Sequence, residues 1–359
     1  MNDADATVLL GTGSKDSGPL NVQKEITIPD EVAPATAPPQ GASFKTRLRH
    51  VLGSEFQLLS LLGEGGFARV YKARDTRLDR IVAIKVIRPE VIGTELFMES
   101  FRSEGIALAK LRHHGIVPIY NIRERGGLIY YIMPFVQGLT LEQRMSQGRL
   151  PPFETRRILS ELTDALSAAH QAKMVHLDIK PDNVFLEGDL QKVLLVDFGI
   201  AMAVTDTVPE ASGGPIIGTP AYMSPEQAQG LPDIDHRSDI YSLGVLGYAM
   251  LMGRPPFLGR NATDILKKHV EEAPVPIRQI NPSIPKDFAD AIMRCLEKDP
   301  WDRFSTAKEL GATLEAVTFF TERRTTSSHA KPVVAGRPNV AVIAITAMVI
   351  GVLIGWVIG

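Results

Sequence analysis

Short apolar runs broken by single polar residues, over Phe56–Leu62, Val70–Ala73 and the β-branched-rich Ile81–Ile87, predict three β-strands. Over Glu95–Leu111 the apolar residues recur at helical intervals. Ile116–Ile122 and Leu128–Phe135 return to the strand pattern. After Thr155 the spacing is mostly helical, over Ile158–Ala172, Ser238–Met252, Thr263–Val270, Asp287–Leu296 and Thr306–Val317. A strand-rich front joined to a helix-rich back predicts an α+β molecule of two lobes with a cleft between them.

The two ends read differently. Residues 1–45 carry no apolar period, and Pro29–Gly41 is rich in proline and alanine, so a disordered arm is expected there. Asp3 and Asp5 stand where a secretory signal needs positive charge, and no apolar core follows them. Residues 318–339 are polar and set Arg323, Arg324, Lys331 and Arg337 against the single acid Glu322. Val340–Gly359 then runs without a charge, with Thr346 its only polar side chain. As a helix it would span ~30 Å, the thickness of a bilayer's hydrocarbon. The expectation is a single transmembrane helix, 340–359, behind a basic juxtamembrane linker that marks the cytoplasmic side. With nothing after Gly359 it would be a tail anchor in the plasma (inner) membrane. Ala347, Gly351, Gly355 and Gly359 recur every fourth residue, a stripe that permits close helix packing and hence self-association through the span.

Charge and cysteine content narrow the functional classes. Lys and Arg number 39 against 41 Asp and Glu, a net charge of −2 that argues against nucleic acid as a partner. One cysteine, Cys295, leaves no disulfide framework and no cysteine-built zinc site. His113 and His114 are adjacent and cannot share a face of a helix or strand, so a metal pair there is not expected.

Candidate chemistry begins at Gly63-Glu-Gly-Gly-Phe-Ala-Arg-Val70, a glycine-rich turn whose backbone could approach phosphates. A dinucleotide fingerprint would continue into a helix and place an acid about twenty residues on. Here another strand follows, and the residue twenty positions after Gly65 is Lys85, of the right sign for a phosphate. Lys85 closes Val82-Ala-Ile-Lys85 in an apolar strand. Glu104, on the apolar face with Phe97, Phe101 and Leu108, is the favoured counter-charge to it, with Glu99 the competitor.

Further along stand His176-Leu-Asp-Ile-Lys-Pro-Asp-Asn183, Asp197-Phe-Gly199, Gly218-Thr-Pro-Ala-Tyr-Met-Ser-Pro-Glu226, Asp239-Ile-Tyr-Ser-Leu-Gly244 and Arg303. In this order and at these spacings the chain resembles the eukaryotic-like Ser/Thr protein kinases, most of all their bacterial branch, from Glu55 to Val317. The resemblance implies a bilobal protein kinase fold and transfer of the ATP γ-phosphoryl to protein hydroxyls, with Mg2+ as cofactor and proteins as substrates. It implies Asp178 as catalytic base, Lys180 beside it, and Asn183 and Asp197 as metal ligands. It implies a nucleotide site formed by Leu62, Gly63, Gly65, Gly66, Val70, Ala83, Lys85 and Glu104, with Met133 as gatekeeper and Pro134 and Val136 in the hinge. Glu226–Arg303 would be a buried ion pair, Asp239 would brace the catalytic loop, and His176 would be structural. Two positions depart from the pattern. Ala68 replaces the third glycine of the loop. Leu177 stands where many members carry the arginine that pairs with a phosphorylated activation segment, so phosphorylation of Thr205, Thr207 or Ser212 is not expected to be an obligatory switch. Thr7, between acids and aliphatic residues, is a candidate autophosphorylation site for a phosphothreonine-binding partner.

Overall fold

The structure, a computed structural model, describes residues 43–66, 68–89, 105, 107–198 and 219–318. Thr7, Glu99, Glu104, Thr205, Thr207, Ser212, Gly218, residues 319–339 of the linker and the expected span 340–359 lie outside the described residues. Among the described residues no helix is long and apolar enough to cross a membrane.

The described residues open on a helix that the hydrophobic pattern does not mark, α1 (Phe44–Leu52), overlapping the end of the expected arm by two residues. Ser43 caps it by accepting the Thr46 N–H, and Gly53 ends it at φ +59°. Phe44, Leu48, Val51 and Leu52 fall on one face. The last three are at most 2% exposed, packed with Phe56, Tyr71, Val82, Ile84, Leu128 and Tyr130. Those partners belong to a five-stranded antiparallel sheet ordered β1–β2–β3–β5–β4, with β1 Phe56–Glu64, β2 Ala68–Asp75, β3 Arg80–Ile87, β4 Asn121–Arg125 and β5 Leu128–Pro134. Side chains alternate across a strand, so Val82, Ile84 and Val86 point to α1 while Ala83 and Lys85 point away from it. Directly opposite residues share a face. Val70 pairs with Lys85, Ala83 with Met133, and Gly63 with Val70, so the register gathers these residues on the face turned from α1.

The strand expected over Ile116–Ile122 is not one strand. Val117 donates to the Leu195 carbonyl at 3.0 Å, Pro118 has no N–H to give, and pairing with β5 starts only at Tyr120, whose N–H reaches the Ile132 carbonyl at 2.7 Å. Of the helix expected over Glu95–Leu111, residues 105 and 107–110 are described, and they are helical.

After β5 come β6 (Gly138–Thr140) and α2 (Leu141–Met145), then the helical lobe: α3 (Pro152–Gln171), α4 (Pro225–Ala228), α5 (Arg237–Met252), α6 (Ala262–Glu271), α7 (Ile277–Ile280), α8 (Lys286–Cys295) and α9 (Ala307–Ala316). Every residue of α5 from Ser238 to Met252 is buried, so this helix is the axis on which α3 and α8 pack. Along α5, close approach favours glycine at two places. A Cβ on Gly244 would lie 2.6 Å from the Cys295 Cβ, and one on Gly247 3.0 Å from Leu159 Cδ1. Between α3 and α4, β7 (Val184–Glu187) and β8 (Lys192–Leu195) form a small sheet with β6.

Candidate active site

The β7–β8 hairpin sets the geometry. Val184 pairs with Leu195, so Asn183, just before β7, meets the residues just after β8, and Val196 donates to the Asn183 carbonyl at 3.0 Å. Asp197 follows at φ +62°. On the other side of Asn183, its side-chain Nδ2 donates to the carbonyl (2.8 Å) and to the carboxylate Oδ2 (2.9 Å) of Asp178. The Lys180 ammonium lies 2.9 Å from Asp178 Oδ1 and 2.7 Å from Oδ2. One carboxylate thus holds both Lys180 and Asn183.

The loop carrying Asp178 is anchored from beneath. The fully buried Asp239 of α5 accepts the N–H groups of His176 (Oδ2) and Leu177 (Oδ1), each at 2.8 Å, and its Oδ2 also lies 2.8 Å from His170 Nε2. His176 Nδ1 accepts the Asp178 N–H at 3.2 Å, which leaves Nε2 to donate to the Val196 carbonyl at 2.9 Å. Its ring packs on Phe198 with centroids 4.5 Å apart. His176 therefore spans the loop and the strand exit and faces no open space, a structural position. Gln227, which sequence reasoning did not single out, donates from Nε2 to the Leu177 carbonyl at 2.8 Å.

Lys85 reaches from β3 to Asp197, with Nζ 2.9 Å from Oδ1, and thereby joins the strand-rich lobe to the β7–β8 exit. Behind it Leu108, Tyr131, Met133, Val196 and Phe198 line a small apolar cavity. Residue 105 runs close to the sheet here, since a Cβ on Gly105 would meet the Ile122 side chain at 2.2 Å. In the glycine turn, Gly65 donates to the Ala68 carbonyl at 2.9 Å and so closes the β1–β2 connection. Gly63 and Gly66 are not at positive φ, and a Cβ on either would touch nothing within 4 Å among the described residues. Leu62 is 46% exposed at the same edge. Met133 and Pro134 end β5, and Val136 follows in the connection to β6.

A model of the protein kinase domain matches residues 56–313, and all of the geometry above falls within that span. The chain belongs to the protein kinase family. Over 268 residues it is 37% identical to the serine/threonine-protein kinase PknB of Mycobacterium leprae, an alignment of 73% of this chain and 43% of PknB. Over 265 residues it is 36% identical to the serine/threonine-protein kinase PrkC of Bacillus subtilis, covering 74% of this chain and 40% of PrkC. The chain thus matches less than half the length of these relatives. Among solved structures, the PknI kinase domain of Mycobacterium tuberculosis superposes with a TM-score of 0.57 at 25% identity, covering 73% of this chain and 96% of that one. ATP and a divalent metal are the family's general cofactors.

The helical lobe also holds two buried titratable groups, Glu226 and His269. Glu226 and Arg303 form a buried bidentate pair at 2.7 and 2.9 Å, and Ser238 donates to the same carboxylate. The guanidinium also donates to the carbonyls of Arg237, Glu297 and Lys298 at 2.9 to 3.0 Å, so all five of its N–H groups are used. Burial pushes the Glu226 carboxyl up, but the hydrogen bonds and charge of Arg303 outweigh it and hold the group below the usual carboxylate range. Nearby, burial pushes the fully enclosed His269 imidazole down to about 4, helped by the charge of Lys298.

The two adjacent histidines correct a point of sequence reasoning. They lie in a loop, where helix and strand faces do not apply, and both reach Asp164, His113 Nε2 at 3.1 Å and His114 Nε2 at 3.6 Å. His113 Nδ1, however, accepts the Gly115 N–H at 3.1 Å. Its proton therefore sits on Nε2, where it serves Asp164 and blocks a metal's approach. The cluster is a hydrogen-bonded clasp between this loop and α3.

Proposed function

We propose that the chain is a serine/threonine protein kinase that transfers the γ-phosphoryl group of ATP to hydroxyls of proteins, its own included. What carries this is the convergence of Lys180 and Asn183 on the Asp178 carboxylate at 2.7 to 2.9 Å, next to the segment where Lys85 pairs with Asp197. Asp178, held by two donors and by the braced loop beneath it, accepts the hydrogen bond of the incoming hydroxyl and takes its proton as the new O–P bond forms and the bond from the γ-phosphorus to the β–γ bridging oxygen breaks, releasing ADP. Lys180 carries positive charge to the same point and offsets the charge that develops on the transferred group. Lys85 steadies the phosphates from the opposite lobe. Among the described residues, neither backbone conformation nor packing demands glycine at 63 and 66, which fits close approach of the backbone to phosphates. Lys180 and the Gly218-Thr-Pro-Ala-Tyr motif favour serine and threonine over tyrosine as acceptors.

The donor set fits a hard divalent cation. Asn183 gives its amide nitrogen to Asp178, and Asp197 gives Oδ1 to Lys85. Among the described residues this leaves Asn183 Oδ1 and Asp197 Oδ2 without a donor, two oxygens of the kind Mg2+ takes. Bound there, magnesium would neutralise phosphate charge.

The same proposal sets residues 340–359 across the plasma membrane, with the kinase domain on the cytoplasmic side, on the strength of twenty uncharged residues behind a basic stretch. Release of the protein from membranes by carbonate would remove this part. Self-association through the Ala347–Gly359 stripe would be withdrawn by unchanged association after Gly351→Leu and Gly355→Leu. A phosphothreonine-binding partner at Thr7 would be withdrawn by the absence of phosphate on Thr7 in the active enzyme.

The deciding experiment is autophosphorylation of the full chain in nanodiscs with labelled Mg-ATP, beside Asp178→Asn and Lys85→Met. Label that disappears in both variants is the expected result. An unlabelled wild type that still binds ATP would refute the kinase reading in favour of a nucleotide-binding scaffold.

A further inference from the structure

Leu177 immediately precedes Asp178 and sits at φ +60°, a left-handed conformation that side-chain-bearing residues hold only under restraint. Its own side chain is 8% exposed and apolar, so it offers no polar link to the rest of the lobe. The restraint is on the backbone. The Leu177 N–H goes to Asp239 Oδ1, and the Leu177 carbonyl accepts from Gln227 Nε2, both at 2.8 Å. Asp239 belongs to α5. Gln227 belongs to α4, a few residues after the described chain resumes at Thr219.

The orientation of the Gln227 amide is fixed at both ends. Its Oε1 accepts the Ser224 N–H at 3.1 Å while its backbone N–H donates to Ser224 Oγ at 3.2 Å, which leaves Nε2 toward Leu177. We propose that Gln227 is a positioning residue for Asp178. Its amide holds Leu177 in the left-handed region and so sets the start of the catalytic loop, with no phosphate required on residues 199–218. This rests on the kinase reading above and specifies how that site is kept ready.

The test uses the full chain and Gln227→Glu, which keeps the acceptor for Ser224 but turns an oxygen toward the Leu177 carbonyl. The expected result is a kcat lower by about tenfold, the effect of one hydrogen bond to a buried group. KM for ATP should stay within about twofold, and Tm near wild type. Hydrogen exchange should quicken in the peptide covering residues 174–180. Glycine adopts φ +60° unaided, so Leu177→Gly in the Gln227→Glu background should recover most of the lost kcat relative to Leu177→Gly alone. Thr205→Ala, Thr207→Ala and Ser212→Ala combined should keep at least about half of wild-type kcat.

A Gln227→Glu enzyme with kcat within twofold of wild type would overturn the proposal. So would a joint fall in kcat and Tm that glycine does not rescue, or an inactive triple-alanine enzyme. A wild type that transfers no phosphate would instead refute the kinase reading. The exchange measurement then decides separately, because unchanged protection of residues 174–180 in Gln227→Glu removes the positioning role whether or not the chain is active.

Discussion

Breaking the Glu226–Arg303 pair should unfold the helical lobe far more easily than any surface change. Arg303 has no exposed side-chain surface and Glu226 has 8%. Neither is screened by water, so the discount that applies to surface ion pairs does not apply. Glu226→Gln removes the charge while nearly preserving shape, and leaves the guanidinium buried with three carbonyls for company. Loss of one partner of a buried pair costs about 3–5 kcal/mol, two to nearly four decades in the folding equilibrium. With a urea m-value near 3 kcal/mol/M the midpoint should fall by roughly 1–1.5 M. Replacing both residues, by Glu226→Leu with Arg303→Met, should cost less than the sum of the single changes, since no orphaned charge remains. The pH dependence supplies a second arm. Glu226 has a lowered pKa in the folded state, so its contribution is fully present above the ordinary carboxylate range. It is lost as pH falls below about 4.5 toward the folded value. Glu226→Gln should be less sensitive to acid over that window. The measurement is urea unfolding by circular dichroism at pH 7 and at pH 4. A Glu226→Gln midpoint within 0.3 M of wild type at pH 7 would refute the reasoning.

Three other outcomes follow from the packing. Gly244→Ala raises helix propensity, yet a Cβ there would come 2.6 Å from the Cys295 Cβ, so it should destabilise by about 1–3 kcal/mol; Cys295→Gly in the same chain should restore part of the loss, and a rise in Tm from Gly244→Ala alone would contradict the close approach. Burial pushes the Cys295 thiol up to about 12, so this single cysteine should resist alkylation in the native protein and react once urea unfolds it, as mass spectrometry would show. Leu48→Ala should cost about 2–5 kcal/mol, because α1 is part of the core, and a protein starting at residue 55 should be less stable still; an unchanged Tm would mean that α1 is dispensable.

Sequence spacing made much of the strand-rich lobe legible, because β2 alternates buried with more exposed positions from Tyr71 to Asp75, while β3 and β5 are short, apolar and buried along most of their length. α1 escaped because its nine residues carry four cationic or titratable side chains among four apolar ones, and its N-cap follows directly on a proline-rich stretch. The start of β4 escaped because Asn121–Arg125 is mostly polar, and the apolar run before it hydrogen-bonds to β8 instead. At the site, Lys85, Asp178, Lys180, Asn183 and Asp197, which the structure brings together, each stand in a motif. Gln227 reads in the sequence as a helix-capping partner of Ser224, and nothing in its own neighbourhood in the chain announces the carbonyl fifty positions away that its amide nitrogen reaches.

The alternation of β3 has a consequence for how the protein reaches its native state. Val82, Ile84 and Val86 are fully buried against α1 and β5, while Lys85 lies between two of them and points the other way. Sliding β3 by one residue against its neighbours would drive the ammonium into that apolar layer and leave valine and isoleucine facing the cleft. The hydrophobic residues that never meet a ligand therefore act as the gauge that sets the lysine. A chain that has paired its strands wrongly cannot bring Lys85 to Asp197, and the link from the strand-rich lobe to the β7–β8 exit is lost with it.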